Sequence, residues 1–141
     1  MLRPFLFAAI ATAYPAFASA GCDDSILNGS YAFVQTGYTG SGTSLKRFAL
    51  AGTGTYNGDG TLSGVSTAAT EGNETPARLV TFTGTYSVKS DCSATETDTD
   101  QTGAVFHYDE FIVADGQLFT FIQTDPGVVS TGTQQRQQRR H

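Results

Sequence analysis

Short, evenly spaced runs of Thr, Val, Tyr, Phe and Gly, each closed by a turn signal, constrain this chain more than any other feature. Asn57-Gly58-Asp59-Gly60 is the strongest of these signals, because Asn and Gly tolerate the positive φ that tight hairpins demand. Lys89-Ser90-Asp91 and Ala114-Asp115-Gly116 punctuate the chain in the same way. Between the breaks there is no run of helix formers with a 3.6-residue apolar period, so the chain reads as all-β. Strands are expected over residues 30–38, 46–55, 61–69, 78–88, 93–99, 104–113, 117–124 and 128–135. No crossover helix fits between any two of them, so neighbours should be antiparallel. Eight such strands can close into a single up-and-down β-barrel, which removes exposed sheet edges. Gly29-Ser30-Tyr31, Gly54-Thr55-Tyr56 and Gly84-Thr85-Tyr86 form a faint internal echo, too weak for a solenoid.

The first 20 residues set the expected compartment. They hold one basic residue, Arg3, then an apolar run, then Ala18-Ser19-Ala20, the small-x-small form of a signal-peptidase site. The expected organisation is a signal peptide over 1–20, a β-barrel domain over 21–135 and a polar basic tail over 136–141. The apolar run is broken by Pro15 and falls short of the roughly 20 residues a spanning helix needs, and no later stretch is longer. The chain therefore reads as exported, extracellular or periplasmic, without a membrane span. Cys22 and Cys92 are its only cysteines, and in an oxidising compartment they most simply form a disulfide; a reactive thiol is the alternative.

Charge and motifs exclude several functions. The formal net charge is −5, and loss of Arg3 makes the remainder more acidic, against the basic footprint that nucleic acids require. Arg136, Arg139 and Arg140 crowd the C-terminus, where a frayed polar end is the simplest account. Neither His107 nor His141 sits in a zinc-binding spacing, and no GxSxG elbow or P-loop occurs. Nothing implies a cofactor or sets an oligomeric state. Asn28-Gly29-Ser30 and Asn73-Glu74-Thr75 fit the glycosylation sequon, Asn73 being better placed in a loop.

One stretch imitates a calcium loop. Asp98, Asp100, Thr102, Gly103 and Asp109 fall at positions 1, 3, 5, 6 and 12 of an EF-hand-like pattern. Position 12 is Asp where a bidentate Glu belongs, and the flanks are strands where helices belong. A plain hairpin explains the same residues: Glu96, Asp98 and Asp100 alternate with threonines and would form a solvated acidic face. No metal is therefore assigned.

Four segments taken together, CDDSILNGSYAF, FALAGTGTYNGDGTLSG, FTGTYSVKSDCSAT and FIQTDPGVVSTGTQQRQ, resemble a group of small secreted β-proteins. The barrel of that group is similar to the one in the allene oxide cyclase family. The resemblance covers most of the chain after residue 20 and implies a calycin-like barrel with an apolar cavity. No catalytic motif of the cyclases can be placed on these residues, and one fold hosts many functions.

What remains is a lumenal ligand site. Tyr31, Phe33 and Gln35 share one face of the first strand, and Phe119, Phe121 and Gln123 share one face of the seventh. On the sixth, His107, Asp109, Phe111 and Val113 fall together, and Asp109 and Phe111 are assigned to the site. Aromatic walls around a few polar groups suit a small apolar or amphipathic molecule. An isomerase or cyclase would use the same cavity with Asp109 or Glu110 as acid or base, and adjacent positions mean only one of them faces inward. A solid barrel acting through its surface is the third reading. Asp125-Pro126-Gly127 reads as the last hairpin turn.

Overall fold

The computed structural model describes residues 21–138. Eight strands close into one antiparallel barrel in which each pairs with the next and the last with the first. They are β1 (Asn28–Thr39), β2 (Lys46–Asn57), β3 (Thr61–Thr70), β4 (Ala77–Val88), β5 (Ser93–Asp100), β6 (Val105–Val113), β7 (Leu118–Gln123) and β8 (Val128–Arg136). The expected strands are all present, with boundaries within two residues. Residues 1–20 and 139–141, and with them the signal-peptide reading, lie outside the described residues.

The two ends of the barrel differ because the sequence supplies different material to each. One end carries the short β2–β3, β4–β5 and β6–β7 turns and is plugged by a single 3₁₀ turn, Asp24–Ile26. Asp23 caps that turn by accepting a hydrogen bond from the Ser25 N–H at 2.9 Å, and Asp24 accepts from the Val88 N–H at 2.6 Å. The Cys22–Cys92 disulfide, with Cα atoms 5.1 Å apart, ties the plug to the β4–β5 turn.

Beneath the plug lies the core: Leu27, Tyr31, Tyr56, Leu62, Tyr86, Ala94, Ile112 and Phe119. The Tyr56 ring stands edge-on to Tyr31 at 5.2 Å, Tyr86 at 5.1 Å and Phe119 at 5.6 Å. Such pairs add about 0.5–1.5 kcal/mol each beyond the area they bury. A tyrosine core demands partners for its hydroxyls, and they are present. Tyr31 donates to the Gly116 carbonyl at 2.7 Å and accepts from Arg136 Nε at 3.0 Å. Tyr86 donates to the Leu27 carbonyl at 2.9 Å and accepts from the Gly58 N–H at 3.0 Å. Arg136 also donates to the Ile26 carbonyl at 2.8 Å, so this last residue of β8 holds the plug in place.

The opposite end carries the loops over 40–45, 71–76, 101–104 and 124–127, and among the described residues no such plug covers it. In the 124–127 turn the Asp125 carbonyl accepts from the Val128 N–H at 3.3 Å, with Pro126 second and Gly127 third at φ 78°, as the sequence suggests.

Candidate functional site

The half of the lumen beneath these loops contains a cavity of about 310 Å³. Phe33, Phe48, Leu50, Phe82, Phe106 and Phe121 form its walls. Burial deepens along it, from half-buried Phe48 and Phe106 near the rim to Tyr56 and Glu96, both buried, at the floor. Three inward glycines sit directly across from wall rings: Gly52 pairs with Phe33, Gly64 with Phe82 and Gly132 with Phe121. A methyl group at Gly64 or Gly132 would come within 2.3 Å of the paired ring. The rings lie against the wall at positions where any side chain would push them into the lumen, so these glycines keep the cavity open.

The floor is polar and acidic. Tyr56 donates its hydroxyl proton to Glu96 Oε2 and accepts from Gln134 Nε2 at 2.9 Å. Asp98 Oδ1, Gln134 Oε1 and both carboxyl oxygens of Glu110 are buried without a donor among the described residues. The carboxyls of Asp98 and Glu110 stand near that of Glu96, and like charges in one buried site disfavour ionising together. Burial, followed by the charge of the neighbouring acids, raises the whole group. Glu96 is held well above the carboxylate range, and Asp98 is pushed up to about 9, its largest cause burial and its second Glu96. Glu110 rises to about 8, chiefly through burial, with the charge of Asp98 adding to it. Burial and the surrounding acids likewise keep Tyr56 and Tyr108 protonated. The floor at neutral pH is a set of neutral acids and phenols, able both to donate and to accept.

A second polar chain leads outward. Gln35 Nε2 donates to Gln123 Oε1 at 3.0 Å and lies 2.8 Å from Ser130 Oγ. Gln123 Nε2 in turn donates to Asp125 Oδ2 at 2.9 Å. Asp125 then accepts from the His107 N–H at 2.9 Å and pairs with His107 Nδ1 at 2.7 Å. The turn that carries Asp125 therefore also anchors a lumenal glutamine.

The structure sorts the sequence-derived site residues into three groups. Phe33, Gln35, Phe121 and Gln123 line the cavity. Tyr31 and Phe119 point inward but belong to the closed core below it. Asp109 and Phe111 lie on the outside, Phe111 with 55 % of its surface exposed, while Glu110 is buried at 1 % exposure. The face expected for β6 is thus inverted: Phe106, Tyr108, Glu110 and Ile112 turn inward.

The cause is one residue of loop. Four residues, 114–117, connect β6 to β7, with Asp115 and Gly116 both left-handed at φ 53° and 73°. Ile112 is thereby set opposite Phe119 and Glu110 opposite Phe121. A three-residue loop would reverse every side chain of the strand.

The acidic face of β5 is corrected as well. Glu96 and Asp98 are buried inside the barrel, and the solvated hairpin face does not form. The calcium-like spacing does not converge either: Asp98 faces inward, Asp109 faces outward, and Asp100 caps its own turn through the Thr102 and Ala104 N–H groups. No cluster of three or more metal-ligating side chains occurs among the described residues. Glu96, Asp98, Tyr56, Tyr108 and Gln134 are site residues the sequence reading missed. Pairing β5 with β4 would have found the acids, because Glu96 falls opposite core Tyr86.

No protein-family model matches the chain, and no curated protein sequence matches it. The allene oxide cyclase resemblance therefore has no family match behind it; its supported part is the eight-stranded antiparallel barrel. Among solved structures, the chain is similar to designed barrels. A redesigned β-barrel aligns at 19 % identity and TM-score 0.58, over 82 % of this chain and 95 % of that one. A de novo designed fluorescence-activating β-barrel aligns at 14 % identity and TM-score 0.55, over 81 % and 96 %. A redesigned barrel named mFAP1, solved bound to DFHBI, aligns at 19 % identity and TM-score 0.53, over 80 % and 97 %. These likenesses concern the fold.

Proposed function

We propose that this protein is an exported β-barrel that binds a small amphipathic molecule in the open half of its lumen. The observation that carries the reading is the cavity itself: aromatic walls above a floor on which buried polar atoms have no protein partner. Buried polar atoms are ordinarily paired, and leaving one unpaired costs about 1–3 kcal/mol, so a group from outside the chain is the natural partner. At about 310 Å³ the cavity suits a compact ligand. The redesigned barrel solved bound to DFHBI illustrates that this architecture can hold a small molecule. Export is inferred from the first 20 residues and fits the Cys22–Cys92 disulfide. A solid barrel fits only the closed half.

Native mass spectrometry of protein purified from its source tests the binding reading. A retained small molecule is expected; repeated recovery of the bare chain, with a crystal structure showing collapsed walls, would remove it. One observation also favours an isomerase, namely the buried Glu96 carboxyl bonded to Tyr56, itself bonded to Gln134, at the end of an apolar pocket. In that case Glu96→Gln abolishes turnover of a reactive lipid-like substrate and Asp109→Ala does not. Equal rates in both variants would leave binding as the function.

A further inference from the structure

The atoms left without partners on the cavity floor share a property that specifies the ligand. Asp98 Oδ1 and Gln134 Oε1 both belong to side chains that line the cavity and are more than nine-tenths buried, at 7 % and 6 % exposure. Both are acceptors. The orientation of Gln134 follows from its neighbours: Tyr56 gives its proton to Glu96, so its oxygen needs a donor, which Gln134 Nε2 supplies, leaving Oε1 over. These two lining atoms are without an N–H or O–H donor, and Asp98 becomes a full acceptor once its proton leaves.

Charge points the same way. Every titratable group that faces Asp98 is an acid or a phenol: Glu96 on its own strand, Tyr108 and Glu110 on β6, Tyr56 across the lumen and Asp100 at the rim. From β4 it meets Gly84, whose missing side chain makes the room that its carboxyl occupies. No Lys, Arg or His lines the cavity among the described residues. Aromatic faces above such a floor attract cations further through their quadrupoles.

We propose that the lumen binds a compact organic cation, an ammonium with two or three N–H donors on an aromatic or branched apolar body. The ammonium rests on Asp98 and Gln134, and the body lies between Phe33, Phe82 and Phe121. The proposal rests on the lumenal binding reading and adds the charge of the ligand. Entry of the cation replaces a carboxyl proton: Asp98 ionises against the ammonium, and the proton leaves to solvent. Burial holds that proton in the empty site, so affinity for a permanently charged ligand rises with pH up to about 9.

Calorimetric titration of the full chain with three probes of one shape tests this. Naphthalene-1-methylamine should bind at least about tenfold more tightly than naphthalene-1-methanol, and naphthalene-1-carboxylate not measurably, as charge-assisted hydrogen bonds are the strong ones. Repeating the amine titration at neutral pH in buffers of different ionisation heat should reveal proton release. Asp98→Asn should cost the amine about tenfold more than it costs the alcohol. Alcohol binding as tight as amine, or an amine preference that survives in Asp98→Asn, overturns the cation proposal and leaves the lumenal site standing. Failure of all three probes overturns both. If Asp98→Asn does not fold, the amine-to-alcohol ratio and the proton release of the wild-type chain still decide.

Discussion

Glu96, Asp98 and Glu110 are buried acids, and the cost of burying them depends on pH in a defined direction. In the unfolded chain they ionise at ordinary carboxylate values near 4; in the barrel Asp98 and Glu110 keep their protons up to about 9 and about 8. The native state therefore binds more protons than the unfolded state across this window, and stability falls as pH rises through it. The thermal midpoint should drop by at least about 5 °C between pH 5 and pH 8, an order-of-magnitude figure for a domain of this size. Asp98→Asn and Glu110→Gln should each flatten the profile and raise the midpoint at pH 8. Calorimetric scans across this range check it, and a midpoint that climbs from pH 5 to pH 8 contradicts it. A chain that keeps such acids where amides would be more stable is one in which a site opposes stability.

At the scale of elements, strands and turns were legible because Thr-, Val- and aromatic-rich runs alternate with Gly, Asn and Asp punctuation. Facing was legible where aromatics gathered on one side of a strand. In β1 Tyr31 and Phe33 do so and in β7 Phe119 and Phe121, and with Gln35 and Gln123 they all point inward. β6 carries Val105, Phe111 and Val113 on one side and Phe106, Tyr108 and Ile112 on the other, with one acid on each, so alternation alone left its facing undetermined. Glu96 and Asp98 were illegible for a different reason: acids alternating with threonines are nearly always solvated, and the buried floor of this barrel breaks that rule. The facing of β6 predicts unequal mutants. Ile112→Ser, at a buried position, should lose on the order of 3 kcal/mol, and Phe111→Ser, on the outside, less than about 1 kcal/mol. Urea denaturation of the two variants measures the difference, and the reverse ranking would place the strand the other way round.

Considered whole, the described residues form a cup, with one end stapled and packed and the other open. The disulfide spans 70 residues of sequence and fixes the plug over the tyrosine core. A cross-link of that span stabilises by about 4 kcal/mol in the chain-entropy account. Reduction should lower the thermal midpoint by on the order of 10 °C. An unchanged midpoint after complete reduction would show that the plug holds through Arg136 and Asp24 alone. The packed end leaves the open end free to keep a cavity, a division of labour that residue patterns hinted at but could not locate along the lumen.

The most direct measurement of the central claim is a two-dimensional ¹⁵N NMR titration of the protein with naphthalene-1-methylamine, read on its side-chain amides. Saturable shifts of the Gln35, Gln123 and Gln134 amide signals are expected, with those of exposed Asn28 and Asn73 unmoved. Unshifted lumenal glutamines, or shifts confined to the outer face around Val34, Ile122 and Val129, would contradict it.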